Sequence, residues 1–333
     1  MGRLYPVKID VFAHILPPNY KEALLDWLPP DSYWQHARHD PAFDLETMFR
    51  TMDRFEGLVL VLTLQSPPVE SIADPEKAAE FAKLANDEMA ELVSKYPARF
   101  KAAIACLPMN NMDAALKELD RAIKDLKFRG VQLYTPTNDK SLDSPEFMPL
   151  YERMIQYDLP ILLHPYRYQT TADYKTEEES KYLVYHIFGW PYETSAAMAR
   201  LVFSGVLEKY PNLKIITHHN GAMVPFLESR ICEQQYRKQM HKPAYAELTK
   251  SPIEYFKMFY ADTVIRTVPA LMCTYHFFGA DHLLFGTDMP HGPELGSHFI
   301  QHSIHGIEQM DISDKEKQTV FEDNARRLLR LPM

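Results

Sequence analysis

The chain has 333 residues, 46% of them hydrophobic and 24% charged, a balance that excludes a disordered, collagenous or coiled-coil protein and fits one with a large buried core. Lys+Arg 36 against Asp+Glu 45 gives a formal net charge of -9 with no basic stripe, so no nucleic-acid partner is expected. Cys106, Cys232 and Cys273 show no pairing motif, Met1–Pro6 has no apolar leader core, and the longest apolar run, Leu58–Leu64, is too short to span a bilayer; the expectation is a cytoplasmic protein with no membrane partner.

In chain order, short apolar runs alternate with amphipathic stretches. Val7–Ile15 is the first expected strand and Leu58–Leu64 the second, the latter apolar on both faces as in a parallel sheet covered by helices. A long helix is predicted over Pro75–Lys95, a strand over Phe100–Leu107, and a helix over Asp113–Lys127 capped by Asn111 or Asp113. Gly130–Tyr134 and Leu159–His164 follow as strands, separated by a helix from Ser144 to Tyr157. Leu213–His218, Phe256–Ala261 and His282–Asp288 complete the strand set, with helices at Glu193–Lys209 and Asp314–Leu329. Eight strands alternating with helices predict an α/β protein of the (β/α)8 TIM-barrel class. No internal repeat or Gly/Ser-rich linker divides the chain, so residues 1–333 are expected as a single domain, with insertion loops at 17–44 and 166–192 over the C-terminal face. A doubly wound open sheet is the alternative, but neither glycine-rich phosphate-loop pattern occurs.

Barrel chemistry sits at the C-terminal ends of strands. Those ends here read Asp10-Val11-Phe12-Ala13-His14, Leu163-His164-Pro165, Thr217-His218-His219-Asn220 and Thr287-Asp288-Met289-Pro290. Imidazoles and carboxylates from several strands suit a divalent ion such as Zn²⁺, whereas any one of them alone is more often a structural residue or a helix cap.

Together with Lys8-Ile9-Asp10, Gly130-Val131-Gln132, Pro191-Tyr192-Glu193-Thr194, Gly205–Lys214 and Phe259-Tyr260-Ala261-Asp262, these motifs resemble the amidohydrolase superfamily. The resemblance runs through nearly the whole chain and is to the branch of aminocarboxymuconate-semialdehyde decarboxylase and related aromatic-acid decarboxylases. It implies a divalent ion, Zn²⁺ with Mn²⁺ as the alternative, held by His14, His164 and Asp288. It also implies a catalytic histidine after the sixth strand. An ungapped register from Leu213 to Phe226 favours His219, with His218 as the alternative. The same register puts Arg230 on an arginine that reaches the neighbouring site of a homodimer and grips a substrate carboxylate.

Phe12 departs from the family, which carries the first ligand of a paired motif there. Strand alternation turns Phe12 toward the site, where it is expected to line the substrate space. Either three protein ligands and water hold the ion, or the ion is weak or absent and the ring fills its place. Asp10 is expected on the face of His14, deeper in the barrel. The early loop is shorter than in the picolinate-pathway enzymes and aligns neither Arg38 nor Arg50 with their second arginine, which argues against that substrate. His291 at the mouth is a candidate substrate contact. Trp34, Tyr134, Tyr166, Tyr168 and Trp190 line a pocket or simply pack. Asp262 orients a histidine or caps a turn, and Glu193 and Thr194 cap a helix. His36, His39 and His186 are expected at the surface, and His298, His302 and His305 on a solvated helical stripe.

The resemblance implies a metal-dependent, non-oxidative decarboxylase of an aromatic or unsaturated carboxylic acid, with Asp288 or His219 protonating the carbon that loses CO₂. The rivals are a hydrolase or hydratase of the same superfamily acting on a lactone or related small substrate, a metal-free variant, and a barrel reduced to a binding protein.

Overall fold

A computed structural model describes residues 5–233 and 246–332; the leader reading at Met1–Leu4 falls outside them. Seven parallel strands form two ladders, β1 (Lys8–Ile15), β2 (Leu58–Leu64) and β3 (Phe100–Ala103) in one, and β4 (Val131–Thr135), β5 (Ile161–Pro165), β6 (Ile215–Thr217) and β7 (Tyr260–Ala261) in the other. Backbone bonds join the two ladders into a ring. Ala105 N donates to Gly130 O and Gln132 N to Ala105 O, both at 2.9 Å, which links β3 to β4. The eighth expected strand, His282–Asp288, is not a ladder strand. It is an extended segment bridged to β7 at Leu283 and to β1 at Met289. Leu284 N donates to Ala261 O at 2.9 Å, while Val11 N donates to Phe285 O at 3.0 Å and Asp288 N to Phe12 O at 3.1 Å. Side chains supply further rungs: Thr263 Oγ1 accepts from Gly286 N at 3.1 Å and Asp10 from Thr287 N at 3.1 Å.

The strands alternate as buried parallel strands should. Leu58, Leu60 and Leu62 join the large layer between sheet and helices, whereas Val59 and Val61 join an inner cluster with Ile9, Val11, Ala102, Ile104, Leu162, Ile216 and Leu284. Ala325, Leu328 and Leu329 from the C-terminal helix close the bottom of that cluster. Each fully buried side chain of this size contributes about 1.5–3 kcal/mol. β1 breaks the alternation. A register shift between Asp10 and Ala13 puts Val11 and Phe12, neighbours in sequence, in the same inner cluster. The shift returns His14 to the inner side and leaves Asp10 outside, bonded to Thr287 and to Phe12 N at 3.0 Å. Asp10 therefore does not share the face of His14, because a bulge resets the period of 2 between them.

Of two expected caps, Asn111 accepts from Ala114 N, whereas Ser144 precedes a 3-10 turn at Pro145–Phe147 and makes no side-chain cap bond; Asp74, accepting from Glu76 N and Lys77 N, and Ser313, in a capping box with Glu316, cap two further helices. The run Glu193–Lys209 breaks in two at Gly205, whose φ of +82° ends Trp190–Phe203 and starts Val206–Lys209. Phe256–Ala261 is the end of a short helix, Pro252–Phe256, followed by the two residues of β7. The 17–44 insertion holds the helix Pro18–Trp27 and two 3-10 turns, and the 166–192 insertion ends in a π-helical turn over Tyr185–Gly189. Among the described residues no helix is long and apolar enough to cross a membrane.

Candidate active site

Four chain segments meet at the C-terminal mouth, and each delivers a side chain whose outer nitrogen or oxygen faces one point. His14 ends β1 and is 1% exposed. The hydroxyl of Thr63 on β2 donates to Ala13 O, so it accepts from Nδ1–H of His14 at 2.9 Å. That leaves Nε2 of His14 without a proton, 3.2 Å from Asp288 Oδ1. His164 near the end of β5 is fixed in the same sense, because its Nδ1 lies 2.7 Å from the carbonyl of Pro165, which can only accept. His218, just past β6, donates from Nδ1 to Asp262 Oδ2 and turns Nε2 to within 3.5 Å of Asp288 Oδ1. Asp262 is wholly buried and also takes the backbone N–H groups of His219 (3.2 Å), Asn220 (2.8 Å) and Val264 (3.2 Å). It orients a histidine and caps the turn at once.

The rings crowd together. His164 stacks on His218 at 4.9 Å and 29°, and meets His14 edge-on at 5.1 Å. Phe12 lies flat against the other side of His218, at 4.3 Å and 26°. Phe12 thus faces the site, as expected, but through the bulge and not through simple alternation. His219 and Asp288 adopt positive φ values of 59° and 67°, sharp turns that aim consecutive side chains inward. His291 reaches the mouth, 5.7 Å from the His14 ring, and its Nε2 bonds Gln65 Oε1 at 2.8 Å. Trp190 forms a wall, 5.6 Å from His164 and 6.4 Å from His219, with Tyr134 5.2 Å from His164 and Tyr166 beyond.

Electrostatics divides these groups into neutral donors and held charges. Burial keeps His14 below the ordinary histidine range, and burial together with the neighbouring His218 keeps His164 and His219 well below it. Burial also works against charge on His218, but the Asp262 and Asp288 carboxylates outweigh it and push that pKa up to about 9. Burial disfavours the Asp288 charge, yet the imidazoles of His14 and His218 beside it hold the carboxyl well below the usual range, so it stays ionised.

The donor set fits a divalent ion. Ligand atoms of His14, His164 and His218 lie within 4.8 Å of one another, and so do those of His218, His219 and Asp288. Nε2 of His14 and of His218 are buried with no hydrogen-bond partner, so both face a space open to a metal, His14 with a free lone pair and His218 on giving up its proton. Each imidazole is anchored through its other nitrogen, as metal-binding histidines are.

Phe12, His14, His164, His219, Asp288 and His291 are thus brought together. Arg230 is not: it sits exposed at the end of the helix Glu228–Cys232, and among the described residues no ion pair engages it. His186 packs against Trp190 at 4.3 Å, and Glu193 pairs with Arg167 at 2.6 Å instead of capping its helix. His298, His302 and His305 are exposed on the helix Ser297–Glu308. Sequence reasoning passed over Thr63, and it also passed over Arg266. The guanidinium carbon of Arg266 lies 3.4 Å from the centre of the Phe299 ring, and its Nε is buried without a partner. Asp262, visible in the sequence as a residue that orients a histidine or caps a turn, does both.

Residues 9–331 match the family described as Amidohydrolase. The chain belongs to that family. Gamma-resorcylate decarboxylase of Polaromonas sp. (strain JS666) is 33% identical over 328 residues, covering 93% of this amidohydrolase and 95% of the relative. The structure of 2,6-dihydroxybenzoate decarboxylase complexed with 2,6-dihydroxybenzoate superposes with a TM-score of 0.81 at 28% identity, over 98% of this chain and 99% of that one. Dihydroxybenzoic acid decarboxylase from Polaromonas sp. JS666, with bound manganese and the inhibitor 2-nitroresorcinol, gives 0.80 at 28% identity over 97% of each chain. The resemblance drawn from the motifs is borne out, and the named relatives are carboxy-lyases.

Proposed function

We infer that this amidohydrolase is a metal-dependent, non-oxidative decarboxylase of an ortho-hydroxylated aromatic carboxylic acid. The observation that carries the reading is the convergence of His164 and Asp288 on His14, with Trp190 beside His164, in a chain similar along its length to decarboxylases of dihydroxybenzoates. His14, His164 and Asp288 would hold the ion. The family expectation was Zn²⁺; manganese in the Polaromonas structure makes Mn²⁺ the first ion to test. When bound, the ion offsets the negative charge of the substrate's carboxylate and hydroxyl oxygens.

The chain's own residues account for the proton. Asp288 is ionised and its side chain is 18% exposed, whereas His14 and His218 are sealed. It is placed to take the proton of the ortho hydroxyl and return it to the ring carbon that bears the carboxylate. Protonation there breaks aromaticity. Cleavage of the carbon–carboxylate bond then expels CO₂, and its electron pair restores the ring as a phenolate, which takes a proton from water. His219, neutral and beside Trp190, faces the same space and is the second candidate to hand over the proton. Trp190 and Tyr134, which pack against His164, would flank the substrate ring and exclude water, and His291 borders the mouth.

Arg230 would act on a neighbouring copy. Phe226, one turn before it, is 83% exposed and Tyr192 is 55% exposed, a surface that a homodimer would cover while Arg230 pairs with the substrate carboxylate next door. The test is CO₂ release from 2,6-dihydroxybenzoate and salicylates. Activity is expected with Mn²⁺ or Zn²⁺, to vanish on chelation and to return with the ion. No CO₂ from any ortho-hydroxy aromatic acid with either ion overturns the reading.

A further inference from the structure

We propose that His218 is a ligand of the resident ion, so that β6 replaces the donor that Phe12 removes from β1 and the shell becomes His14, His164, His218 and Asp288. The proposal rests on the metal-dependent reading above and changes which residues hold the ion. The family pattern places two ligands on the first strand and a catalytic histidine after the sixth. This chain has one donor on β1 and two adjacent histidines after β6.

Three observations assign the extra one. His218, His14 and His164 present Nε2 to a common point, with their ligand atoms within 4.8 Å, and Asp288 Oδ1 lies 3.2 Å from His14 and 3.5 Å from His218. His218 is anchored as a ligand would be: Nδ1 donates to the buried carboxylate of Asp262, which fixes both ring orientation and tautomer and raises the basicity of Nε2. Nε2 of His218 is buried and makes no aligned hydrogen bond, although Asp288 is close. The same vacancy at His14 Nε2 points to a shared occupant between the rings.

Phe12 and His219 fit around this arrangement. The Phe12 ring covers the face of His218 at 4.3 Å, filling the volume of a position-12 ligand and keeping water off the imidazole. His219, whose Nδ1 is buried and unpartnered, is then the histidine left free to serve the substrate. The doublet divides its labour, with the first ring binding the ion and the second facing the reaction.

The decisive measurement is the coordination of the Mn²⁺- or Zn²⁺-loaded wild-type protein. An anomalous-scattering map and the nitrogen couplings in pulsed EPR of the Mn²⁺ form are expected to show three coordinated imidazoles, with Nε2 of His218 at about 2.0–2.3 Å from the ion. In parallel, His218→Gln is expected to weaken Mn²⁺ affinity by at least about 100-fold and to reduce the coordinated imidazoles to two. An ion held by His14, His164 and Asp288 with His218 Nε2 beyond about 3 Å, or unchanged affinity in a folded His218→Gln protein, overturns the proposal and leaves the decarboxylase reading intact. Failure of the wild-type protein to take up any divalent ion overturns both.

Discussion

Asp262→Asn is the perturbation from which most follows. Both oxygens of this carboxylate accept from two donors: Oδ2 from His218 Nδ1 and His219 N, Oδ1 from Asn220 N and Val264 N. An amide in either orientation sets an NH₂ group against one of those pairs, so two of the four bonds are lost whichever way it turns. Hydrogen bonds to a charged group contribute about 1.5–3 kcal/mol net each, which puts the gross loss at about 3–6 kcal/mol. Relief of burying a charge offsets part of that, and a net loss of about 3 kcal/mol is expected. Urea denaturation followed by tryptophan fluorescence measures it. The second consequence is chemical. Without the Asp262 charge, burial is opposed by Asp288 alone, and the His218 pKa falls from about 9. Metal affinity, measured by titration with Mn²⁺, is expected to drop about 10–100-fold because the ring loses its anchor. A stability loss under about 1 kcal/mol together with unchanged metal affinity would refute the view that this carboxylate organises the turn after β6.

Four further outcomes are expected. Phe12→Ala empties a wholly buried ring site and should cost about 3–5 kcal/mol in denaturation experiments, with Phe12→Leu costing much less. Glu70 is buried, and burial pushes its carboxyl to about 7, above its ordinary value of 4.5. A raised acid penalises folding only where the unfolded chain is ionised. The cost should therefore be absent below about pH 4.5, grow through pH 7, and reach about 3 kcal/mol, so Glu70→Gln should stabilise the protein at pH 8 and not at pH 4. The His218 pKa of about 9 means that an ion binding there displaces a proton. Calorimetry in buffers of different ionisation enthalpy should find about one proton released per ion between pH 7 and 8.5, and no release would argue that the ion bypasses His218. Arg230→Ala should raise KM by about 10–100-fold with Tm unchanged, since no ion pair among the described residues depends on it. An unchanged KM would remove Arg230 from substrate binding.

The fold was legible because buried parallel strands such as Leu58–Leu64 are apolar on both faces, and because a cap such as Asn111 has visible side-chain chemistry. Strand length was not. Leu213–His218 pairs only over Ile215–Thr217, since ladder bonds depend on neighbours that hydropathy does not record. The eighth strand failed as a ladder because several of its partners are side chains. At the site, His14, His164 and Asp288 were readable as polar residues ending apolar runs. Asp10 was misplaced because a register shift has no sequence signature here, and the role of Thr63 depends on a strand about 50 residues away.

The seam between β7 and β1 has a consequence for how this protein can change. Asp288 is carried on a wall segment held in part by side chains: Thr287 bonds Asp10, and Gly286 bonds Thr263. Backbone rungs survive any substitution short of proline, but these rungs do not. Replacing Asp10, Thr263 or Thr287 would shift the carboxylate against the three imidazoles while leaving every ligand in the sequence, at positions that touch neither ion nor substrate. Metal affinity in this barrel can therefore drift, or be bred, through its outer wall.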